Sequence, residues 1–221
     1  MSTVWITLAL ATATTMVLLL LGTPLAWWLA RTRSAWRPLI EAITALPLVL
    51  PPTVLGFYLL VLLSPTSPFG GLVLELTGAT LAFSFSGLVV ASVLYSLPFM
   101  VQPLQTAFMA VGRTPLEAAA VLGASPLDTF RTVVVPQSAR GFLVAMVLTF
   151  AHTVGEFGVV LMVGGNLPGE TRVLSIEIYE HVETLNYAAA HRLSAGMLVF
   201  SVAVLTAVYA LRDRPQTAGL P

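Results

Sequence analysis

The sequence is poor in charge and contains neither cysteine nor lysine. Only 9% of its 221 residues are charged, against about 25% in soluble domains, which excludes an ordinary soluble globular protein. The absence of cysteine excludes disulfides, thiolate zinc sites and thiol nucleophiles. All 10 basic residues are arginine, so the phosphate-binding loop G-x-x-x-x-G-K-[ST] is excluded. The chain therefore has no P-loop ATPase site of its own, and its formal net charge of zero argues against a nucleic-acid partner.

Apolar sequence is abundant instead. Hydrophobic residues make up 57% of the chain, and the mean hydropathy is +0.91. About five apolar stretches are long enough to cross a hydrocarbon core about 30 Å thick: residues 4–30, 38–63, 80–112, 141–164 and 188–211. The first lacks the basic segment of a cleaved signal peptide, so we expect it to be retained. The sequence predicts an all-α integral membrane protein in which residues 1–221 form one transmembrane domain.

The positions of arginine predict the orientation. Most arginines lie in residues 31–37, 113–140 and 212–214, which are the segments between spans one and two, between spans three and four, and after span five. Because basic residues in short loops stay on the cytoplasmic side, the amino terminus is expected outside and the carboxyl terminus in the cytoplasm. An odd number of spans argues against two inverted halves in one chain. We therefore expect a homodimer that forms its pathway between two copies.

The expected cytoplasmic loop, residues 113–140, contains two signals for a helix start. The sequence T-P-L-E at residues 114–117 predicts a capping box in which Thr114 is the N-cap. S-P-L-D at residues 125–128 repeats the pattern, while Gly123 predicts a break between the helices and Pro136 an end to the second. The loop is therefore predicted to be two short helices at an angle.

The first of these helices carries apolar side chains in a segment that has no lipid to bury them. Val121 and Leu122 are the largest of these side chains. They pack either against the ends of the chain's own spans or into a groove of a cytoplasmic partner.

Residues of this loop carry a resemblance to a known family. E-A-A at residues 117–119, Gly123, and V-V-V-P at residues 133–136 resemble the E-A-A, G, I-x-L-P signature of ATP-binding-cassette importer permeases. The resemblance implies the type I importer permease fold and a loop that couples the permease to its ATPase subunit. The residues that it assigns to coupling are Glu117, Ala118, Ala119, Leu122, Gly123 and Ala124.

A closer resemblance covers most of the chain. L-P-L-V-L-P-P-T-V-L-G at residues 46–56, G-E-F-G at residues 155–158 and G-N-L-P-G-E-T-R at residues 165–172 resemble molybdate permeases. This implies ATP-driven uptake of molybdate across the cytoplasmic membrane of a prokaryote, with tungstate or sulfate as alternatives. It also implies a homodimer with two cytoplasmic ATPase subunits, which bind ATP and Mg, and an extracytoplasmic molybdate-binding protein. No cofactor, catalytic residue or metal site is expected in this chain.

The second predicted span contains prolines, which remove backbone donors and leave carbonyls that hydrocarbon cannot satisfy. Pro51, Pro52 and the Thr53 hydroxyl are therefore candidates for a pathway or gate, although a simple kink that fits the bundle explains the prolines equally well.

Two ionisable residues lie within the fourth predicted span. His152 and Glu156 are four residues apart, which places them on one face of a helix. Ionisable groups at membrane depth are functional candidates by default. This pair predicts either a proton relay or a metal pair in an ion-coupled secondary transporter, or else a gate. In the gate, Gly155 and Gly158 allow close helix approach, and Glu156 accepts hydrogen bonds. The gate is favoured because an ATP-driven transporter needs neither a relay nor a metal, and the secondary transporter leaves the cytoplasmic loop unexplained.

Two further expectations concern the remaining polar residues. Arg172 and Arg192, on the expected outer side, are predicted to pair with glutamates of residues 170–183 rather than to steer an anion. An intramembrane enzyme is disfavoured because no nucleophile, base or metal constellation is evident.

Overall fold

The computed structural model describes residues 2–212, and within this range the chain is helical and contains no β-strand. This confirms the all-α prediction. The helices are α1 (Thr3–Arg31), α2 (Arg37–Ala45), α3 (Pro52–Leu63), α4 (Pro68–Thr77), α5 (Phe85–Ala110), α6 (Thr114–Val121), α7 (Pro126–Thr129), α8 (Val135–Gln137), α9 (Ala139–Gly155), α10 (Gly158–Gly164), α11 (Leu174–Glu183) and α12 (Tyr187–Arg212). Arg214, which contributed to the predicted orientation, lies outside the described residues.

Three helices, α1, α5 and α12, are long and apolar enough to cross a membrane. Two bent helix pairs are further candidates, namely residues 37–48 with α3 at 108° and residues 126–137 with α9 at 73°. The described chain thus has between three and five candidate spans, in keeping with the predicted number.

The second predicted span is not one straight helix. A 3-10 turn (Leu46–Leu48) follows α2, and α3 starts only at Pro52. Pro51 is extended at φ −54° and ψ 134°, because a following proline disfavours the helical conformation of the residue before it. The consecutive prolines therefore break the span as well as bending it.

The third and fourth predicted spans also differ from the structure. The third was expected from residue 80, but α5 begins at Phe85, where the Ser84 hydroxyl accepts a hydrogen bond from the Gly87 amide at 3.1 Å. The short helix α4 before it was not predicted. The fourth predicted span is divided into α9 and α10 at Glu156 and Phe157.

The core lies where α1, α5 and α9 pack together, with Leu18, Leu104, Phe108, Val134 and Ala145 among its buried side chains. The helices α1 and α5 run in the same direction, because the end of α1 at Arg31 contacts the end of α5. We call this end of the bundle, where α6 follows α5, the α6 end. At the opposite end, the Thr7 hydroxyl of α1 accepts a hydrogen bond from the Leu174 amide of α11 at 2.9 Å.

The helical segment of residues 126–137 ends where the sequence predicts. A π-helix (Phe130–Val134) joins α7 to α8. Pro136 was predicted to end this helix, and the segment stops one residue later at Gln137, before a bend of 73° into α9. Proline favours such an end because it lacks the amide that continues the hydrogen bonds of a helix.

Candidate functional site

Helix α6 begins one residue earlier than the predicted capping box requires. Thr114 is already helical, the N-cap is Arg113, and no side chain caps this end. The Arg113 carbonyl accepts the first helical hydrogen bonds instead, from the amides of Leu116 at 3.0 Å and Glu117 at 2.9 Å. The helix is present as predicted, but the predicted Thr114 cap is wrong.

The break and the second helix start agree with the prediction. Gly123 has a φ of +81°, the left-handed conformation that glycine adopts readily at helix ends. The Ser125 hydroxyl then accepts a hydrogen bond from the Asp128 amide at 3.2 Å and caps α7.

The two faces of α6 differ sharply in exposure. Leu116 packs against the core, and Ala119 is buried. Val121 and Leu122 are 88% and 86% exposed, so the alternative in which the chain's own helices cover them is wrong. Glu117, Ala118 and Gly123 are exposed, and Ala124 is half-buried. Most of the residues assigned to coupling by resemblance thus lie on a surface that the described chain leaves uncovered.

The pathway candidates meet at one cavity of about 550 Å³ between α3, α9 and α10. Its lining includes Pro52, Thr53, Gly155, Glu156 and Gly158. Pro51 precedes α3 as its N-cap and does not line this cavity. We call this space the α3–α10 cavity. His152 and Tyr95 line it as well, and Tyr95 was not singled out from the sequence.

Glu156 does not share a helix face with His152, because α9 ends at Gly155. Glu156 is the C-cap, extended at ψ 135°. Its backbone carbonyl accepts a hydrogen bond from the Ser175 hydroxyl of α11. Its side chain is 3% exposed and faces Ser92, yet within residues 2–212 neither carboxylate oxygen has a hydrogen-bond partner of good geometry. The hydrogen bonds predicted for the Glu156 side chain are therefore made by its backbone instead.

His152 is held as a packed ring. Its Nδ1 lies 2.9 Å from the Ser96 hydroxyl, which is 3.0 Å from the Thr153 hydroxyl. Phe99 stacks on the ring with centroids 3.9 Å apart, and Tyr95 contacts it at 4.9 Å. No group of three or more histidine and carboxylate side chains in the described part of the chain could hold a metal ion.

The two glycines of the G-E-F-G sequence behave differently. A Cβ atom on Gly158 would lie 2.7 Å from Cβ of Pro52, so this glycine permits close approach of α10 and α3, as predicted. Gly155 has no atom within 4 Å of the corresponding position, so the same prediction is wrong for it. Gly56 supplies a second close contact, since its Cβ would lie 2.8 Å from Cβ of Met162. It stands in the quoted sequence of residues 46–56, but its role was not inferred.

Ion pairs form at both ends of the bundle. Arg172 pairs with Glu180 at 2.9 Å, as predicted, and donates to Asn166 at 2.6 Å, while Asn166 donates to Glu180 at 3.0 Å. At the α6 end, Glu41 pairs with Arg37 at 3.0 Å and accepts a hydrogen bond from Gln105 at 2.6 Å.

Known proteins are similar to this chain over most of its length. Residues 22–214 match the family model described as binding-protein-dependent transport system inner membrane component. The chain is 60% identical to the molybdenum transport system permease protein ModB of Azotobacter vinelandii, over 94% of this chain and 92% of that protein. It is 33% identical to the sulfate transport system permease protein CysT of Salmonella typhimurium, over 87% of this chain and 69% of that protein.

A solved structure shares the fold. A chain of a bacterial alginate ABC transporter, in complex with an alginate pentasaccharide-bound periplasmic protein, matches with a TM-score of 0.74 at 17% identity, covering 99% of this chain and 80% of that one. Because the family model covers most of the sequence, the chain belongs to the family of binding-protein-dependent transport system inner membrane components.

Proposed function

We propose that this chain is the permease subunit of an ATP-driven importer that translocates molybdate across the cytoplasmic membrane of a prokaryote. The observation that supports the substrate most strongly is the 60% identity to a molybdenum permease over nearly the whole chain, against 33% to a sulfate permease. Tungstate and sulfate are the alternative substrates. The packed environment of His152 and the family membership both favour ATP-driven transport over ion coupling.

The working assembly in this proposal contains two copies of the chain, two cytoplasmic ATPase subunits and an extracytoplasmic molybdate-binding protein. ATP and Mg are bound by the ATPase subunits, and this chain supplies no cofactor site. Its residues have two tasks, which are to couple the ATPase to the membrane helices and to shape the pathway.

Helix α6 supports the coupling task. Val121 and Leu122 are large apolar side chains next to the left-handed Gly123, and the described chain leaves them uncovered. Apolar side chains presented by a short, well-anchored helix fit a hydrophobic groove on a partner protein. In this proposal the α6 end is cytoplasmic, and the groove belongs to the ATPase subunit.

The α3–α10 cavity supports the pathway task. Its polar lining residues include Thr53, Tyr95, His152 and Glu156, and no arginine is among the lining residues in the described part of the chain. A dianion that met a fixed guanidinium group would be bound through strong, charge-assisted hydrogen bonds. Neutral donors make weaker contacts, which allow the anion to pass through the cavity rather than remain bound there. Selectivity then resides largely in the binding protein.

The experiment that tests this proposal is an ATPase assay on the permease reconstituted with its ATPase and binding protein. Stimulation by molybdate-loaded but not sulfate-loaded binding protein is expected. Stimulation by sulfate-loaded protein alone would overturn the substrate and keep the class. If neither stimulates hydrolysis in an assembled complex, the importer proposal fails.

A further inference from the structure

The α6 end of the bundle contains a cluster of aromatic rings that joins four helical segments. We call Trp27, Phe108, Phe130 and Phe142 the aromatic cluster. The Trp27 ring meets the rings of Phe108 and Phe130 at centroid distances of 5.4 Å each, and Phe108 lies 5.6 Å from Phe142. Three of these pairs meet edge to face, which is a favoured geometry for aromatic rings. The cluster therefore joins α1, α5, the π-helix and α9 at one point.

Arg31 fastens the end of α1 to the end of α5 beside this cluster. Its Nη1 and Nη2 atoms donate to the carbonyls of Gly112 and Phe108, each at 3.1 Å. The same guanidinium group lies over the Trp27 ring, 4.8 Å from the centroid. A cation at the last carbonyls of a helix is favoured because those carbonyls carry the negative end of the helix dipole.

These hydrogen bonds fix where α6 begins. Gly112 has a φ of +70°, and the carbonyl of the next residue, Arg113, accepts the first hydrogen bonds of α6. Arg31 therefore holds the residue that directs the chain from α5 into α6. This short connection ties the start of α6 to the ends of α5 and α1.

Phe130 gives a second connection from α6 to the membrane helices. It is the first residue of the π-helix, which α6 contacts, and its ring lies against Trp27 and Phe108. Single π-helical turns are rare and occur frequently at functional sites. The helix α6 is thus linked to α1 and α5 through the chain at Arg31 and through side-chain packing at Phe130.

We propose that Arg31 and Phe130 are positioning residues that transmit the movement of α6 to α1 and α5. This inference rests on the proposed function, in which the ATPase contacts α6. Neither residue lines the α3–α10 cavity, so neither is expected to touch the substrate. Their effect is confined to how much transport each ATP hydrolysis produces.

The test is a proteoliposome assay of the whole complex with molybdate-loaded binding protein. The quantities measured are basal ATPase activity, stimulated ATPase activity, and molybdate imported per ATP hydrolysed. Arg31→Gln and Phe130→Ala are expected to lower molybdate per ATP about tenfold, a typical size for coupling between sites. Basal hydrolysis should stay close to that of wild type, since the altered contacts lie within the permease and not in the ATPase subunit.

Conservative and matched variants separate positioning from general stability. Arg31→Lys keeps the charge but not the fork that reaches two carbonyls, so an intermediate ratio is expected. Phe130→Tyr keeps the ring and should restore most of the coupling. Arg33→Gln and Phe69→Ala change an exposed arginine and an exposed phenylalanine outside the aromatic cluster, and they should leave the ratio unchanged. If Phe130→Ala does not insert, Phe130→Leu replaces it in the test.

The inference is overturned if the assembled Arg31→Gln and Phe130 variants import as much molybdate per ATP as wild type. It is also overturned if these variants assemble poorly but the complexes that do form have a normal ratio of molybdate to ATP. A separate variant, Leu122→Asp, tests the proposed function. If it binds the ATPase as wild type does, the contact between α6 and the ATPase is wrong, whatever the result at Arg31.

Discussion

The α6 end and the α3–α10 cavity share α5 and α9 but are built in opposite ways. At the α6 end, interlocking aromatic rings and a two-carbonyl arginine clamp hold the helix ends together. Around the cavity, two helices are interrupted, glycines bring backbones close together, and a buried carboxylate lacks hydrogen-bond partners of good geometry. Rigid packing transmits a displacement, whereas interrupted helices can change their angle. In the proposed mechanism, movement enters at the α6 end and changes the angles between helices around the α3–α10 cavity.

The largest effect is expected from Gly123→Asp, which should abolish transport in a protein that still inserts. Gly123 is in the left-handed conformation and lies beside the exposed Leu122. In the proposed function the ATPase subunit covers this surface, and a charged side chain there must then be desolvated. Molybdate uptake by vesicles is the measurement. Gly123→Asn is the control, because asparagine tolerates the left-handed conformation and adds no charge. Equal uptake by the two variants and wild type would refute a role for this surface in coupling.

A large effect is also expected from Gly158→Ala. The added Cβ would lie 2.7 Å from Cβ of Pro52, so α10 and α3 must separate. We expect a loss of about 1–3 kcal/mol in stability, as in other overpacked sites, measured as a lower melting temperature of the purified protein. Gly155→Ala is the matched control, since its Cβ would meet no atom within 4 Å. Equal melting temperatures for the two variants would contradict the close contact of α3 with α10.

A moderate effect is expected from Glu156→Gln, which keeps the shape of the side chain and removes its ability to ionise. Molybdate uptake should fall severalfold, because the substitution replaces a buried carboxylate that faces Ser92 beside the cavity with an amide whose NH2 group adds buried donors. The ranking of tungstate and sulfate as competitors should not change, since the carboxylate oxygens are turned away from solvent. Competition against labelled molybdate is the measurement. A changed ranking would show that Glu156 contacts the anion.

The smallest effect is expected from Arg172→Gln. Arg172 and Glu180 are partly exposed, with 21% and 34% of their side chains accessible, and such pairs contribute about 0.2–1 kcal/mol. A double-mutant cycle with Glu180→Gln, followed by thermal unfolding, should give a coupling energy in that range. A selective loss of molybdate uptake would favour the anion-steering role that was set aside for Arg172.

The elements predicted well from the sequence were those governed by local chemistry. Hydropathy identified α1, α5 and α12, and the Ser125 cap and the Gly123 break followed from residue type and spacing. The candidates around Pro52 and Glu156 were found because proline and carboxylate are costly in a membrane, and most of them line one cavity.

The features that were missed depend on tertiary packing. Hydropathy does not distinguish a straight span from one bent by 108°, since both are equally apolar. The helical spacing of His152 and Glu156 failed because α9 ends between them. The aromatic cluster joins residues that are more than a hundred positions apart, Trp27 and Phe130. In the sequence Arg31 is only one of several arginines that indicate orientation.

The π-helix of residues 130–134 also has a consequence for insertions and deletions. A π-turn holds one residue more than an α-turn. The wide turn absorbs one additional residue, so the helical faces before and after it keep nearly the register that an unbroken α-helix would give them. Deleting one residue there would therefore restore ordinary α-helical spacing and leave α8 and α9 facing α1 and α5. A further insertion would have no second wide turn to absorb it and would rotate the following side chains by about 100°. Residues 130–134 should consequently tolerate a deletion better than an insertion.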